Sequence, residues 1–389
     1  MSNWEICWWV GVSWLAYVYV GYPLLMAALG WRRASRAEIA EDYRPSVSVL
    51  IAARNEEKDI GWKLRETLAW DYPADRLEVL VASDASEDGT DQILGAFEDP
   101  RLRWTRMEQR GGKVRALNRL AALARGEILF FTDANASISH TCLKELTKYF
   151  ADPRVGCVTG TSRPAPCDDV GAIRHGASAY FRYESWVSRL ESRLGAVLAC
   201  DGAIHCVRRS LYSPLLPELA NDLELPLRVR HAGYRVLFEP KAFAVEKETD
   251  SAREEFERRR RIAAQGALAM WRLRRLLRGM LGWQFVSHKL LRWLTPVPLA
   301  LVLVGAAAQI RHPLFGAGLV AQVLFYAAAL AGALAVRRNR KVPPVLAVPF
   351  YAVSGALAAF VGVLEACQGR SFAVWESPVL SRGASHVQR

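Results

Sequence analysis

Cysteine is scarce in this sequence and is not arranged for cross-linking or metal binding. The chain has 7 cysteines in 389 residues, with no C-x-x-C pair, and the two closest along the chain are Cys200 and Cys206. Disulfide frameworks and zinc sites both depend on regular cysteine spacing, so neither is indicated. We expect free thiols in a reducing compartment.

Glycine-rich phosphate loops are also absent where they would be expected. The apolar run SVSVLIAA after Pro45 continues directly into the polar stretch that begins at Arg54, without G-x-G-x-x-G or G-x-x-x-x-G-K-S/T. This argues against dinucleotide-binding folds, phosphate-loop enzymes and sugar nucleotidyltransferases. A nucleotide bound here would have to be held by side chains and a cation.

Long uncharged runs divide the chain into membrane-like ends and a charged middle. Residues 6–30, 313–336 and 342–364 carry no charge and are long enough to cross a bilayer core of roughly 20 residues. Residues 293–310 form a shorter candidate interrupted by two prolines. Glu5 precedes the first run and Arg32 follows it, which favours a retained anchor over the alternative of a signal peptide.

The net charge of +12 is concentrated beside these runs, in clusters around Arg32, Arg274 and Arg338. With four spans, the three clusters fall on one side, so the positive-inside rule predicts a cytoplasmic middle region. The amphipathic stretch 282–293 is expected to lie in the membrane interface. This distribution indicates contact with membrane lipids and no nucleic-acid partner.

The middle region alternates strands and helices, which predicts a mainly parallel sheet covered on both faces. Its polar residues follow the strands: Arg54 and Glu56 after the first, Asp84 after the second, and Asp133 after EILFFT. Ligands bind beyond the carboxyl ends of such strands, so these groups are expected to converge. The sequence RGGK adds Lys113 at the start of a helix, where backbone amides also favour anions.

Seven motifs occur in a specific order between about residues 46 and 265: SVLIAARNEE, VLVASDASEDGT, GGKVRALN, FFTDANA, GAIHCVRR, NDLELPLRVRHAGYRV and FERRRRIAAQG. In this order they resemble the family 2 glycosyltransferases, the inverting enzymes of the GT-A fold that include cellulose, chitin and hyaluronan synthases. The resemblance implies an α/β fold, a Rossmann-like, mainly parallel mixed sheet, flanked by N- and C-terminal transmembrane helices.

The resemblance also implies roles for individual residues. Asp222 matches the general base that deprotonates the acceptor, Asp133 matches the first acid of the D-x-D motif that ligates Mg²⁺ or Mn²⁺, and Asp201 with Gly202 matches the acceptor pocket. The nucleotide-binding positions are Ala52, Arg54, Glu56, Asp84, Lys113 and Asp133.

Three positions depart from the family pattern. Asn135 replaces the second acid of D-x-D, and an amide oxygen can ligate the ion but brings no charge. Asn221 replaces the acid before Asp222. Glu224 is a lesser candidate for the base, and the alternative role for Asp222 is that of a helix cap. Processive synthases carry Q-x-x-R-W; here Arg258 and Arg261 occupy the arginine region as catalytic candidates, but no tryptophan follows.

The predicted organisation is an anchor at 1–31, a cytoplasmic GT-A domain at 45–265, a basic linker with an interfacial helix at 266–295, about three transmembrane helices at 296–366 and a tail at 367–389. The expected activity is transfer of one sugar from a nucleotide-diphosphate donor, UDP-linked by preference, to a lipid-linked or polysaccharide acceptor at the bacterial inner membrane. Export or biosynthesis proteins are possible partners. A processive exopolysaccharide synthase and a non-catalytic membrane scaffold are the alternatives.

Overall fold

The computed structural model describes residues 2–33, 37–164, 172–246, 251–338, 340 and 342–370. Arg36, Cys167, Lys341 and the tail from 371 onwards lie outside the described residues. The chain begins with two helices, α1 (Asn3–Ala16) and α2 (Tyr22–Arg33), joined by one π-helical stretch, Tyr17–Gly21.

An eight-stranded sheet lies in the middle of the chain. Its strands are β1 (Val47–Ala53), β2 (Leu77–Ser83), β3 (Leu102–Arg106), β4 (Ile128–Asp133), β5 (Ser137–Ile138), β6 (Val155–Pro164), β7 (His205–Arg208) and β8 (Arg235–Glu246).

The strand order is β3-β2-β1-β4-β7-β6-β8-β5. The first four strands are mutually parallel, whereas β7 pairs antiparallel with both β4 and β6. Ala52 is in register with Ala82 on one side and with Asp133 on the other. The polar residues that follow these strands therefore leave the sheet side by side, as the sequence predicts.

Helices cover both faces of this mixed, mainly parallel sheet. They are α3 (Ile60–Leu68), α4 (Thr90–Gly95), α5 (Lys113–Leu123), α6 (Cys142–Thr147), α7 (Ala172–Arg193), α8 (Asn221–His231) and α9 (Ala252–Arg272). Because successive strand residues point to opposite faces, Val49 packs in the same cluster as residues of α3, α4 and α6. Leu50 packs instead with α5 and α8.

The remaining helices belong to the membrane-like part: α10 (Gly279–Phe285), α11 (Leu291–Trp293), α12 (Pro296–Ala308), α13 (Pro313–Arg337) and α14 (Pro344–Cys367). Among the described residues, three helices are long and apolar enough to cross a membrane: Asn3–Arg32, α13 and α14. The helix α12, at 13 residues, covers only about 20 Å. The predicted fourth span therefore depends on counting α12 together with 279–293, from which it is bent by 60°.

The arginine-rich helix α9 packs along α14 from Tyr351 to Glu365. A Cβ at Gly362 would collide with the α9 backbone at Arg260, and one at Gly355 would collide with the Arg259 guanidinium. That guanidinium lies over the rings of Tyr180 and Tyr351, at 4.5 and 4.1 Å from their centroids. The two glycines thus let the arginine-rich helix α9 approach the apolar helix α14 closely.

A buried polar cluster connects the N-terminal helix α2 to α7 and to the stretch that follows α10. Glu191 on α7 accepts a hydrogen bond from the Tyr22 hydroxyl and lies 2.8 Å from His288 Nδ1. On the same face of α7, Glu184 pairs with Arg292. Next to this cluster, Leu223 of α8 packs in one apolar group with Phe285. The membrane-proximal helices are therefore in contact with the helix that carries Asp222.

Candidate active site

The loops after β1 and β2 are tied together by hydrogen bonds. The Arg54 guanidinium donates to the carbonyls of Asp84 and Ala85 at 2.9 and 2.8 Å, and the Glu56 amide donates to the Thr90 hydroxyl at 2.8 Å. Ala85 has a φ of 52°, a value that residues other than glycine rarely adopt. Such strain marks functional loops when the surroundings enforce it, as they do here.

Asp84 lies beneath the Gly111–Gly112 loop. Its two carboxylate oxygens accept hydrogen bonds from the amides of Gly111 and Gly112, at 2.7 and 2.8 Å, and its side chain is buried. Gly112, with a φ of 85°, turns the chain into α5. In this arrangement Asp84 shapes the loop that leads to Lys113, and its contact with a nucleobase or ribose stays a prediction.

Lys113 and Asp133 form a salt bridge at the carboxyl edge of the sheet. Lys113 is the first residue of α5 and Asp133 the last of β4, so neighbouring elements bring together two groups that lie 20 positions apart in sequence. Both side chains are about one-third exposed, which leaves them accessible to a ligand. Asn135, two residues beyond Asp133, is exposed.

Asp222 lies in the first turn of α8 and is not its cap, because the N-cap position belongs to Ala220. Its backbone carbonyl accepts from the Cys200 amide at 2.8 Å, and its carboxylate would lie 3.3 Å from a Cβ placed on Gly202. Burial raises the pKa of Asp222 above its ordinary value; the Asp133 charge adds to the rise and the Lys113 ammonium opposes it. A carboxylate with a raised pKa is a better proton acceptor, which suits a general base.

Glu224, the lesser candidate for the base, points elsewhere. It is fully buried, pairs with Arg228 on its own helix and accepts a hydrogen bond from the Leu216 amide at 3.0 Å. These partners give Glu224 a role in holding the segment before α8 against the helix.

Asp201 organises the loop that faces Asp222. Its carboxylate accepts from the amide and the hydroxyl of Ser162, at 2.6 and 2.9 Å, and from the Ala203 amide at 3.0 Å. Burial raises its pKa, and the nearby Asp222 charge raises it further against these hydrogen bonds. The structure thus places Asp201 and Gly202 beside the predicted base, with the Asp201 carboxylate hydrogen-bonded to Ser162 and Ala203.

Arg261 of α9 reaches the same group of residues. Burial lowers its pKa to about 10 and the Arg258 charge lowers it further, while Asp222 and Asp133 oppose this shift. Arg258 lies on the same side of α9 and donates to Glu255 at 2.8 Å. The structure therefore brings Lys113, Asp133, Asp222 and Arg261 into one electrostatic group, with Arg258 at its border.

His205 lies below this group and is packed. Its ring stacks on Phe131 at 4.8 Å, and Nδ1 lies 2.8 Å from the Asp201 carbonyl, to which it can only donate. Within the described residues Nε2 has no hydrogen-bond partner, so the ring is neutral. Burial lowers the pKa of His205 to about 4; the Lys113 charge adds to this and Asp133 opposes it.

This histidine makes stability depend on pH. The unfolded chain binds the proton near pH 6.5 and the folded chain only near pH 4, so acid favours unfolding through this window. Between pH 7.5 and 5, the wild type should lose about 2 kcal/mol of unfolding free energy relative to His205→Phe, which keeps the ring stack. Thermal unfolding of both proteins in detergent at several pH values measures the difference. The same dependence of stability on pH in the wild type and in His205→Phe would contradict the prediction.

The sequence motifs do not point to two residues that lie around the site, Ser162 and Lys63. Ser162 was not singled out, although it supplies two hydrogen bonds to Asp201. Lys63 was also missed; it is fully buried on the apolar face of α3, and its Nζ lies 3.1 Å from the Thr132 hydroxyl beside Asp133. The sequence does contain a signal for Lys63, because it lies three residues after Ile60, on the apolar face of the helix, where a charged residue is unexpected.

The residues present fit a divalent cation only together with a bound ligand. Among the described residues no group of three or more His, Cys, Asp or Glu side chains could enclose a metal ion. Asp133 and Asn135 offer two hard oxygen donors, which suit Mg²⁺ or Mn²⁺. A donor diphosphate and water would have to supply the other ligands.

This chain is similar to known proteins that transfer sugars. Residues 48–213 match the model of glycosyl transferase family 2. The beta-monoglucosyldiacylglycerol synthase of Synechocystis sp. is 33% identical over 174 residues, which cover 41% of this chain and 36% of that protein. An N-acetylglucosaminyltransferase of Rhizobium sp. is 25% identical over 230 residues, covering 54% and 50%. The chain thus spans half or less of these relatives.

A solved structure is similar over nearly the whole chain. The mannosyltransferase of Pyrobaculum calidifontis, in complex with GDP-Man and Mn²⁺, aligns with a TM-score of 0.67 at 25% identity. The alignment covers 92% of this chain and 99% of that one. The predicted GT-A fold is confirmed by this similarity.

Proposed function

We propose that this chain, whose residues 48–213 match the model of glycosyl transferase family 2, transfers a single sugar, with inversion, from a UDP-sugar to an acceptor held at a membrane. The family match supports the coarse activity, sugar transfer from a nucleotide-sugar donor. The nucleoside, the stereochemistry and the acceptor are the proposal.

The observation that carries the proposal is the charge arrangement at the carboxyl edge of the sheet. Lys113, Asp133, Asp222 and Arg261 come from α5, β4, α8 and α9, yet they influence one another electrostatically. Two cations and one carboxylate suit a diphosphate with its counter-ion, and the second carboxylate suits a proton acceptor.

In the proposed reaction the acceptor oxygen attacks the anomeric carbon from the face opposite the diphosphate. A carbon–oxygen bond forms there, the bond to the β-phosphate oxygen breaks, and the acceptor proton passes to Asp222. Lys113 and Arg261 lie where they can stabilise the charge that develops on the departing nucleoside diphosphate.

A divalent cation on Asp133 and Asn135 would add charge neutralisation at the diphosphate. In the structure the Lys113 ammonium pairs with Asp133, and this pairing supports a cation-binding role for the carboxylate. The Mn²⁺ complex of the Pyrobaculum relative supports the same use here.

Two observations support an acceptor at the membrane. The chain has three apolar helices of spanning length among its described residues, and α14 is packed directly on the arginine-bearing helix α9. The Synechocystis relative is named for a glucosylated diacylglycerol. We therefore favour a lipid or lipid-linked saccharide acceptor, at the cytoplasmic face of a bacterial inner membrane, over a long polysaccharide chain.

A donor screen with the full chain in membranes or detergent tests the proposal. Release of nucleoside diphosphate is followed with several UDP- and GDP-sugars, with and without Mn²⁺, in the presence of a lipid extract. We expect one UDP-sugar to be used, with metal dependence and a labelled product in the lipid phase. Exclusive use of a GDP-sugar would overturn the UDP assignment, and labelled polymer of many sugars would overturn single addition.

A further inference from the structure

The turn that carries Asp133 and Asn135 is held from behind by one buried lysine. Lys63 Nζ donates to the Thr132 hydroxyl at 3.1 Å and to the Ala136 carbonyl at 2.6 Å. These two acceptors flank the tripeptide from Asp133 to Asn135, one residue before it and one after it. The same ammonium group therefore fixes the separation between the two ends of the turn.

A second residue of α3 holds the strand that follows. Glu66, one helical turn beyond Lys63, accepts hydrogen bonds from the Ser137 hydroxyl and from the Ile138 amide, the latter at 3.2 Å from each carboxylate oxygen. Its carboxylate also lies 3.6 Å from Lys63 Nζ. The pair thus binds four residues of the segment 132–138: Thr132, Ala136, Ser137 and Ile138.

Burying this ammonium is costly, which makes a purely space-filling role a poor explanation. Lys63 has no exposed surface, and burial lowers its pKa to about 8 against the opposing charge of Glu66. An apolar side chain of similar length would fill the same volume without that desolvation. What it would lack are the two hydrogen bonds across the turn.

We propose that Lys63 and Glu66 are positioning residues, which hold the turn so that Asp133 and Asn135 present their oxygens to one divalent cation. The inference rests on the proposed metal-dependent function. It assigns neither residue to the metal or to the substrate, since their contacts are with Thr132, Ala136, Ser137 and Ile138.

Metal affinity, measured separately from turnover, tests this role. Full-length wild type, Lys63→Met, Lys63→Arg and Ser137→Ala are compared by Mn²⁺ electron paramagnetic resonance in the presence of UDP, and by the Mn²⁺ dependence of UDP release. Lys63→Met should raise the Mn²⁺ dissociation constant about tenfold, the lower range for outer-shell groups. Turnover at saturating Mn²⁺ should fall by less than about threefold, and Lys63→Arg should recover part of the affinity.

Ser137→Ala removes only the hydroxyl that donates to Glu66 and serves if Lys63→Met does not fold; it should weaken Mn²⁺ binding about threefold. Lys144→Met is the matched control, because Lys144 pairs with Asp71 at the surface without contacting the turn. Wild-type Mn²⁺ affinity in folded Lys63→Met and in Ser137→Ala would overturn the positioning role. Loss of the proposed function is distinguished by Asp133→Ala: if that variant also binds Mn²⁺ like the wild type, the metal site itself is wrong.

Discussion

Asp222→Asn is expected to lower the rate of sugar transfer by about 10²–10⁴-fold, the usual contribution of a general base. The amide keeps the size of the side chain but cannot accept the acceptor proton. Donor affinity should change by less than about threefold, since Lys113, Asp133 and Arg261 are unaltered. Turnover and UDP-sugar binding, measured on the same preparation, separate the two effects.

The pH profile gives an independent reading of this residue. The base must be deprotonated, so transfer should fall as the pH drops through the pKa of Asp222, which burial and Asp133 raise above its ordinary value. Residual activity of Asp222→Asn should lack that acid limb. Glu224→Gln is the control on the same helix, and its expected defect is in stability because Glu224 pairs with Arg228. If Glu224→Gln abolished transfer while Asp222→Asn retained it, the base would be misassigned.

Asp133→Ala should abolish metal-stimulated transfer, with a loss of about 10²–10³-fold, comparable to removing one group that stabilises developing charge. The change removes the carboxylate that pairs with Lys113 at the edge of the sheet, so that Asn135 is the one remaining proposed metal ligand. Mn²⁺ titration of UDP release should then show little stimulation, and Mn²⁺ binding in the presence of UDP should be weak.

Position 135 supplies the companion variants for this prediction. Asn135 is exposed, so both Asn135→Ala and Asn135→Asp should fold. Direct ligation predicts weaker Mn²⁺ binding in Asn135→Ala and tighter binding in Asn135→Asp, because the second carboxylate adds charge. An Asp133→Ala enzyme with unchanged metal dependence would contradict the site, whatever the behaviour of Asn135.

The mainly parallel sheet and the convergence of the polar residues at the ends of its strands could be predicted from the sequence. The alternation of apolar runs indicates βαβ units, and parallel strands necessarily end at one edge; hence Asp84 and Asp133 were expected near each other. The structure has β2 and β4 on either side of β1. Asp222 could be placed there only by the family resemblance, because α8 joins the site from a distant part of the chain.

Other features depend on tertiary contacts that no local pattern carries. The sequence motif predicts that Asp84 binds a ligand, whereas in the structure its two oxygens accept hydrogen bonds from amides of a loop 27 and 28 residues away. Lys63 lies in an ordinary amphipathic helix, and its function depends on what faces it. Hydropathy likewise identified α14 as a membrane helix but gave no indication of the charged helix beside it.

That contact between α9 and α14 affects how the enzyme can be divided. The face of α14 around Gly355 and Gly362 is covered by α9 and is unavailable to lipid, although its composition is that of a span. Conversely, without α14 the face of α9 that packs against it, including Arg259, would be exposed to water. Because α9 packs closely on α14, we predict that the depth at which α14 lies in a membrane sets the height of the proposed reaction centre above the bilayer.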